Sequence, residues 1–393
     1  MLKAFPARLK KFGVPALALL LVAGCSSLPE PQYPPNPLPT TSGEAQLERQ
    51  WRDHSGFGDR WRGYDLPPAL AGDLLISADA QGHLQAFELL DGFLRSDRLL
   101  WRKQLQAGIS AGPTLIDDQV FILTQNGQLI KKAANTGQEI WQARLSSEAL
   151  SPAQVRNQLV VVKTADGRLT AFDRDTGRQL WSFDSLLPSL TLRGTGAPTI
   201  TNTQTLVGFA NGRLFAIDNN SGQPRWDAQI AQPQGRTDIE RLVDVDGRPV
   251  IADGLAIVTS YQGEVQAVDL FSGRSRWSQD ISSFHSPFVA QGRVFIVDEA
   301  SRIHALDLSS GSSLWKQDAL FGRQLTEAVM LSGQLVVADF QGYIHLLDPE
   351  TGTLTGRRAF DLDGIRSTPV VNEDRLLVHS IRGRLGLFTL KKD

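Results

Sequence analysis

The sequence predicts an all-β fold: an eight-bladed β-propeller of four-stranded antiparallel blades, closed by the N-terminal strand completing the last blade. Three observations predict it. One turn-and-strand unit recurs along the chain, a proline stands at a nearly fixed distance upstream of its first turn, and a tryptophan stands at a fixed distance downstream.

The elements follow in chain order. Lys3, Arg8, Lys10 and Lys11 give a positive start, and Val14 to Ala23 give an apolar stretch too short to span a bilayer comfortably. The stretch ends in Val22-Ala23-Gly24-Cys25, which resembles the lipobox of bacterial lipoproteins. Small residues there suit a peptidase pocket, and the Cys25 thiol is the acceptor for a diacylglycerol group. The plain alternative is an ordinary secretory signal with an incidental cysteine. Cys25 is the chain's only cysteine and falls at the junction, so residues 1–24 are read as a signal peptide and Cys25 as the lipidation site. Ser26 follows it where an Asp would retain a lipoprotein at the inner membrane, so the expected location is the cell outer membrane, lipid-anchored and facing the periplasm. Lipid chains anchor a protein without making it span.

Loss of the signal removes four basic residues and no acidic one, and the formal charge moves from −2 to −6. A mildly acidic domain is a poor nucleic-acid binder, so no nucleic-acid partner is expected. With one cysteine there is no intramolecular disulfide, and stability must come from core burial. Residues 25–43, the lipidated Cys followed by SSLPEPQYPPNPLPTTSG, are expected to form an extended, semi-stiff tether.

Residues 44–393 are assigned to the propeller. The repeat is clearest in ADGRLTAFDRDTGRQLW, residues 165–181, and recurs at 125–141, 210–226, 261–277 and 299–315. In each copy ten residues separate the first small turn residue from the second glycine, and Trp comes four later. Weaker copies begin at Gly82, Gly342 and Gly383. Upstream, Pro68, Pro113, Pro198, Pro249, Pro287 and Pro369 stand 14 residues before the first turn, Pro152 stands 15 before it, and Ala328 takes the place once. Between the two marks apolar and polar residues alternate, as in PFVAQGRVFIVDEA (287–300), the period-two pattern of half-buried strands. A D-x-T-G turn and a short strand ending in Trp complete four strands per unit, the composition of a propeller blade.

Trp51, Trp101, Trp141, Trp181, Trp226, Trp277 and Trp315, with Gly356 in the remaining place, mark eight outer strands. The chain ends before its last unit could supply one, so AQLERQWR (45–52) is expected to complete the last blade and leave no open edge. A column of Trp could bind sugars. Packing between neighbouring sheets is the expected role, each buried ring contributing roughly 2–3 kcal/mol.

The link from each Trp place to the next Pro place is 10 to 13 residues in most units, but 17 from Trp181 to Pro198 and 23 from Trp226 to Pro249. The 17-residue link from Trp51 to Pro68 is accounted for by closure. These two long links join successive blades and should emerge side by side on one face, where binding surfaces usually sit. The first offers Leu186, Leu187, Leu190 and Leu192 with Arg193; the second offers Asp238, Glu240, Asp244 and Asp246. Mixed apolar and charged loops suit a protein partner. The plain alternative is leucines tucked under their own loop and acids that are solvated charge.

No catalytic constellation emerges. The six histidines lack metal-ligand spacing, and no nucleophile turn or phosphate-cradling glycine loop is present. Asp244-Val245-Asp246-Gly247 has the opening of a calcium loop without its later ligands. No cofactor, metal or catalytic residue is expected.

The A-x-D-x-x-T-G-x-x-x-W pattern, here Ala171 to Trp181, resembles the tryptophan-docking motif of the quinoprotein (PQQ-like) propellers. Together with the lipobox, the tether, PSLTLRG (188–194) and TDIERLVDVDGRPV (237–250), the chain is similar to the BamB family, the lipoprotein subunit of the outer-membrane β-barrel assembly (BAM) machinery. That resemblance implies a non-catalytic scaffold that docks on the POTRA domains of BamA, and through it on the rest of the complex, and assists folding and insertion of outer-membrane proteins. The implied contacts are Leu190, Leu192 and Arg193 in the first segment and Asp244 and Asp246 in the second, with Arg241 in the same stretch. The rival is a PQQ-dependent dehydrogenase-like periplasmic quinoprotein, which the resemblance would require to hold acids and Ca²⁺ at the ring centre. Neither adjacent cysteines nor a recurring acidic cluster supplies that chemistry here. A third reading adds unfolded outer-membrane proteins as partners by strand pairing.

Overall fold

The computed structural model describes residues 32–56, 64–90, 97–188, 190–191, 194, 196–234, 236–237 and 241–391. Among them are thirty-two strands in eight antiparallel sheets of four, and no helix. The sheets follow one another around a ring. Blade 1 covers residues 69–104, blade 2 109–144, blade 3 154–184, blade 4 199–229, blade 5 250–279, blade 6 288–317 and blade 7 329–359. Blade 8 takes three strands from residues 370–390 and its outer strand from Leu47–His54. The expected closure therefore holds, with Trp51 opposite Leu387.

The period-two alternation expected from the sequence holds on the outer strands and gives way on the inner ones to continuous burial between neighbouring blades. In Leu159–Lys163 and Arg168–Asp173 the middle residues are buried on both faces, whereas the outer strand Gln179–Asp184 buries Trp181 and exposes its neighbours. Core residues group into eight clusters, one between each pair of adjacent blades. The cluster of Trp51, Leu70, Leu75, Phe87, Leu377, Leu385 and Leu387 seals blade 8 to blade 1.

The tryptophans join neighbouring blades, as expected. Trp101, Trp141, Trp181, Trp226, Trp277 and Trp315 each donate their indole N–H to a carbonyl in the last turn of the following blade, at 2.7–3.1 Å. That turn presents a glycine to the ring. Gly177 has φ +70°, and a Cβ there would stand 2.7 Å from Trp141, so the position requires glycine both conformationally and sterically. The D-x-T-G aspartate organises the same turn: Asp173 Oδ1 accepts from the Thr176 N–H at 2.8 Å and from its hydroxyl at 2.7 Å.

Gly356 stands opposite Leu346 in the register place of the missing Trp. The reason is local: the N-terminal segment passes over it, and any Cβ would collide with the Ala45 carbonyl.

Because each blade is a meander, the inter-blade links and the turns between second and third strands open on one face of the ring, here the link face. The other turns open on the opposite face.

Candidate functional site

Residues 185–198 and 230–249 are the long links before blades 4 and 5. They lie against each other, as their spacing predicted. The Gly196 N–H donates to Asp246 Oδ1 at 3.0 Å, and Gly194 abuts both Asp244 and Asp246 so closely that a Cβ would stand 2.8–3.0 Å from their carboxylate oxygens. The Thr199 hydroxyl donates to the Pro249 carbonyl at 2.5 Å. At the base of the first link, Asn211 Nδ2 donates to Ser185 Oγ at 3.1 Å and to the Leu186 carbonyl at 3.3 Å.

Leu190 is 44% exposed, beside Leu186 at 89% and the partly exposed Leu187. Arg241 is exposed, in a turn closed by its N–H to the Thr237 carbonyl at 3.1 Å. Leu192, Arg193, Asp238 and Glu240, like Cys25, lie outside the described residues.

Asp244 and Asp246 were expected to show their acids on the loop surface, but they are only 1% and 8% exposed. Val243 and Val245 are buried with them, so the segment is a short extended piece tucked into the ring, its Asp244 bridged to Tyr261 through a 2.8 Å backbone bond. Room for it comes from Gly208, where a Cβ would collide with Val245.

Burying two carboxylates together has an electrostatic consequence. Desolvation first, and the Asp246 charge second, push the Asp244 carboxyl up to about 7, with Lys163 opposing. Among the described residues, Asp244 Oδ1 has no hydrogen-bond partner. It lies in a recess of about 210 Å³ lined also by Leu150, Lys163, Leu187, Thr191 and Phe209. The arrangement is an apolar rim over an acidic floor with an acceptor to spare, which suits an inserted cationic or N–H-bearing side chain. Lys163 and Phe209 were missed by sequence reasoning. Lys163 follows a run of three valines and would have been found only by asking which strand end faces the links.

Elsewhere, the inner strands of blades 3 to 7 converge on a cavity of about 620 Å³ whose lining has one carboxylate, Glu327, against Arg156 and Arg248. Among the described residues, no three His, Cys, Asp or Glu side chains gather as a metal site. His304 and His345 bond Asp298 and Asp339 at 3.0 and 2.9 Å in equivalent places of successive blades.

With this geometry in hand, comparison with known proteins is decisive. A family model described as "Outer membrane protein assembly factor BamB" matches residues 94–317. The BamB of Pseudomonas aeruginosa is 36% identical over 376 residues, covering 96% of this chain and 97% of its own length. The chain belongs to the BamB family.

The BamB of Escherichia coli K12 is 32% identical over 384 residues, covering 96% of this chain and 98% of its own. The crystal structure of BamB from Moraxella catarrhalis superposes with a TM-score of 0.78 at 25% identity, over 88% of this chain and all of that one. A europium-containing methanol dehydrogenase superposes at 0.71 with 14% identity, which shows a shared propeller fold and nothing of its chemistry.

Proposed function

We propose that this chain is a non-catalytic scaffold subunit of the outer-membrane protein assembly complex: exported on residues 1–24, acylated at Cys25, held at the outer membrane facing the periplasm, and docked on the POTRA domains of BamA through its link face. The observation that carries the docking surface is the convergence of the two long links, which leaves Leu186, Leu187 and Leu190 exposed around the buried Asp244–Asp246 floor. Exposed apolar side chains on a rigid rim are the usual anchors of a protein interface, and a desolvated acceptor beneath them adds specificity. Leu190, Leu192 and Arg193 supply the contacts from the first link. Asp244 and Asp246 act from below, holding the first link in place through Gly196 and receiving a donor from the partner. Arg241 lies at the edge of the same surface.

The test is a pull-down of BamA from detergent-solubilised envelopes with wild type and with Leu190→Ala plus Arg193→Ala. At about 1–2 kcal/mol for each anchor, recovery should fall tenfold or more while the β-sheet circular dichroism and melting temperature stay unchanged. Undiminished recovery would remove the assignment.

A further inference from the structure

The proline-dense segment reads from sequence as a free spacer, yet from Gln32 onward it is laid against the ring. Beside the outer strand of blade 7, the Ser42 N–H donates to the Leu354 carbonyl at 3.0 Å and Arg357 Nη1 to the Pro39 carbonyl at 2.8 Å. The segment then climbs over the rim. The Asn36 N–H and side-chain amide donate to the Phe321 and Asp318 carbonyls at 2.9 and 3.2 Å, in the link between blades 6 and 7. On the link face the Tyr33 hydroxyl donates to Glu299 Oε1 at 2.8 Å and its ring meets Phe321 edge-on at 5.8 Å. Burial, followed by the Glu299 bond, pushes the Tyr33 phenol up to about 12.

The ring is built to receive this segment. Arg323 is 1% exposed, and its guanidinium is satisfied by Asp339 at 2.8 Å, Gln341 at 2.6 Å and the Asn36 carbonyl at 3.1 Å. Gly322 has φ +71°, and a Cβ there would stand 2.6 Å from the Tyr33 and Pro34 carbonyls. A buried guanidinium and a glycine, both set against the same strand of backbone, distinguish a seat from a chance contact. The segment's exit at Gln32 shares a hollow with Tyr261 and Phe284, and Tyr261 is the residue bridged to Asp244.

We propose that residues 32–42 are a strap built into the ring, which brings the chain off the link face beside the long links and so holds that face toward the membrane. The orientation rests on the lipid-anchor reading above; the strap does not. Seven residue steps separate Cys25 from Gln32, so the acylated residue lies at most about 25 Å from the link face. Exposed apolar side chains on the loops fit the same orientation. Leu186, Leu187, Leu190, Phe284 and Leu362 are on the link face, against Leu90 and Phe271 on the other. A partner domain engaged by the long links would sit between the ring and the lipid.

Two arms test this in the full-length acylated protein. Amide exchange of Asn36 and Ser42 should be slowed about 100-fold or more relative to free chain; free-chain exchange overturns the strap. For orientation, a fluorophore is placed on Leu362→Cys or Phe271→Cys, and each protein is reconstituted in phosphatidylethanolamine–phosphatidylglycerol vesicles carrying a nitroxide-headgroup lipid. The link-face probe should be quenched at least threefold more, and Tyr33→Ala with Arg357→Ala should shrink the difference. Equal quenching of the two probes in a protected, acylated protein overturns the orientation. Absence of acyl mass on Cys25 with loss of vesicle binding overturns the anchor reading, and the orientation with it, while the exchange arm still decides the strap.

Discussion

Replacing Asp244 with Asn should make the ring more stable, by an amount that grows from about pH 4 to about pH 7. The carboxyl is ordinary in the unfolded chain, near 3.8, and is pushed up to about 7 in the fold by burial and by Asp246. Between those values the folded state binds the proton more tightly than the unfolded one, so stability falls as pH rises from about 4 to about 7 and is flat above. A roughly thousandfold difference in proton affinity corresponds to about 4 kcal/mol, and because part of it is repulsion shared with Asp246, relief of about 2–4 kcal/mol is expected. Asn fills the same space and gives up no hydrogen bond at Oδ1, which has none. For a ring of this size the gain is about 3–6 °C in Tm at pH 8 and about a quarter of that at pH 4.5. Differential scanning calorimetry at the two pH values decides it. An equal loss of stability at both would refute the reasoning, because it would make Asp244 a structural acceptor instead of an unrelieved charge.

Two further predictions bear on the ring. Trp181→Ala removes a ring that is 8% exposed and the 2.7 Å bond to the Asn219 carbonyl, and should cost about 3–5 kcal/mol in urea unfolding, with Trp181→Phe recovering part of it. His379 is buried and pushed down to about 4, chiefly by desolvation; it accepts from the Ser55 hydroxyl at 2.7 Å and donates to the Leu66 carbonyl at 3.1 Å as a neutral ring. The unfolded chain takes up that proton near 6.5, so this group takes away about 3 kcal/mol as pH falls from 6.5 to 4, against the gain Asp244 contributes over the same range, and the stability of His379→Gln relative to wild type should rise by about that amount across the interval in pH-dependent calorimetry.

The blade count was legible because the determinants repeat. Gly177 and Trp181 stand four apart in sequence, yet each glycine serves the Trp of the blade before it, and six such pairs in register leave little room for another fold. Closure was legible from Trp51 alone. The exposure of the second link was not. VDVD reads as an acidic loop, and nothing local reveals that Gly194, Gly196 and Gly208, distant in sequence, leave a slot that draws the aspartates inward. Proline density likewise describes how the tether resists regular structure but not what it touches, because its partners Arg323 and Glu299 lie nearly 300 residues away. Lys131 shows the same gap. It stands where blades 1 and 3 to 6 have Ala, and is buried only because its ammonium reaches the Arg174 carbonyl at 2.8 Å.

The pairing of Trp51 with Leu387 sets the order in which this molecule can be made. The first strand of the ring waits for a partner more than 300 residues downstream, so every earlier intermediate is an open arc with an unsatisfied β edge at each end. Blades can form one by one as the chain emerges, but the seam cannot, and the contact that completes it carries nearly the largest loop-closure cost available to the chain. Until the two ends meet, the arc is at its most vulnerable to strand-swapping and proteolysis. A stalled or truncated product is thus a different and stickier object than the finished circle minus a few residues.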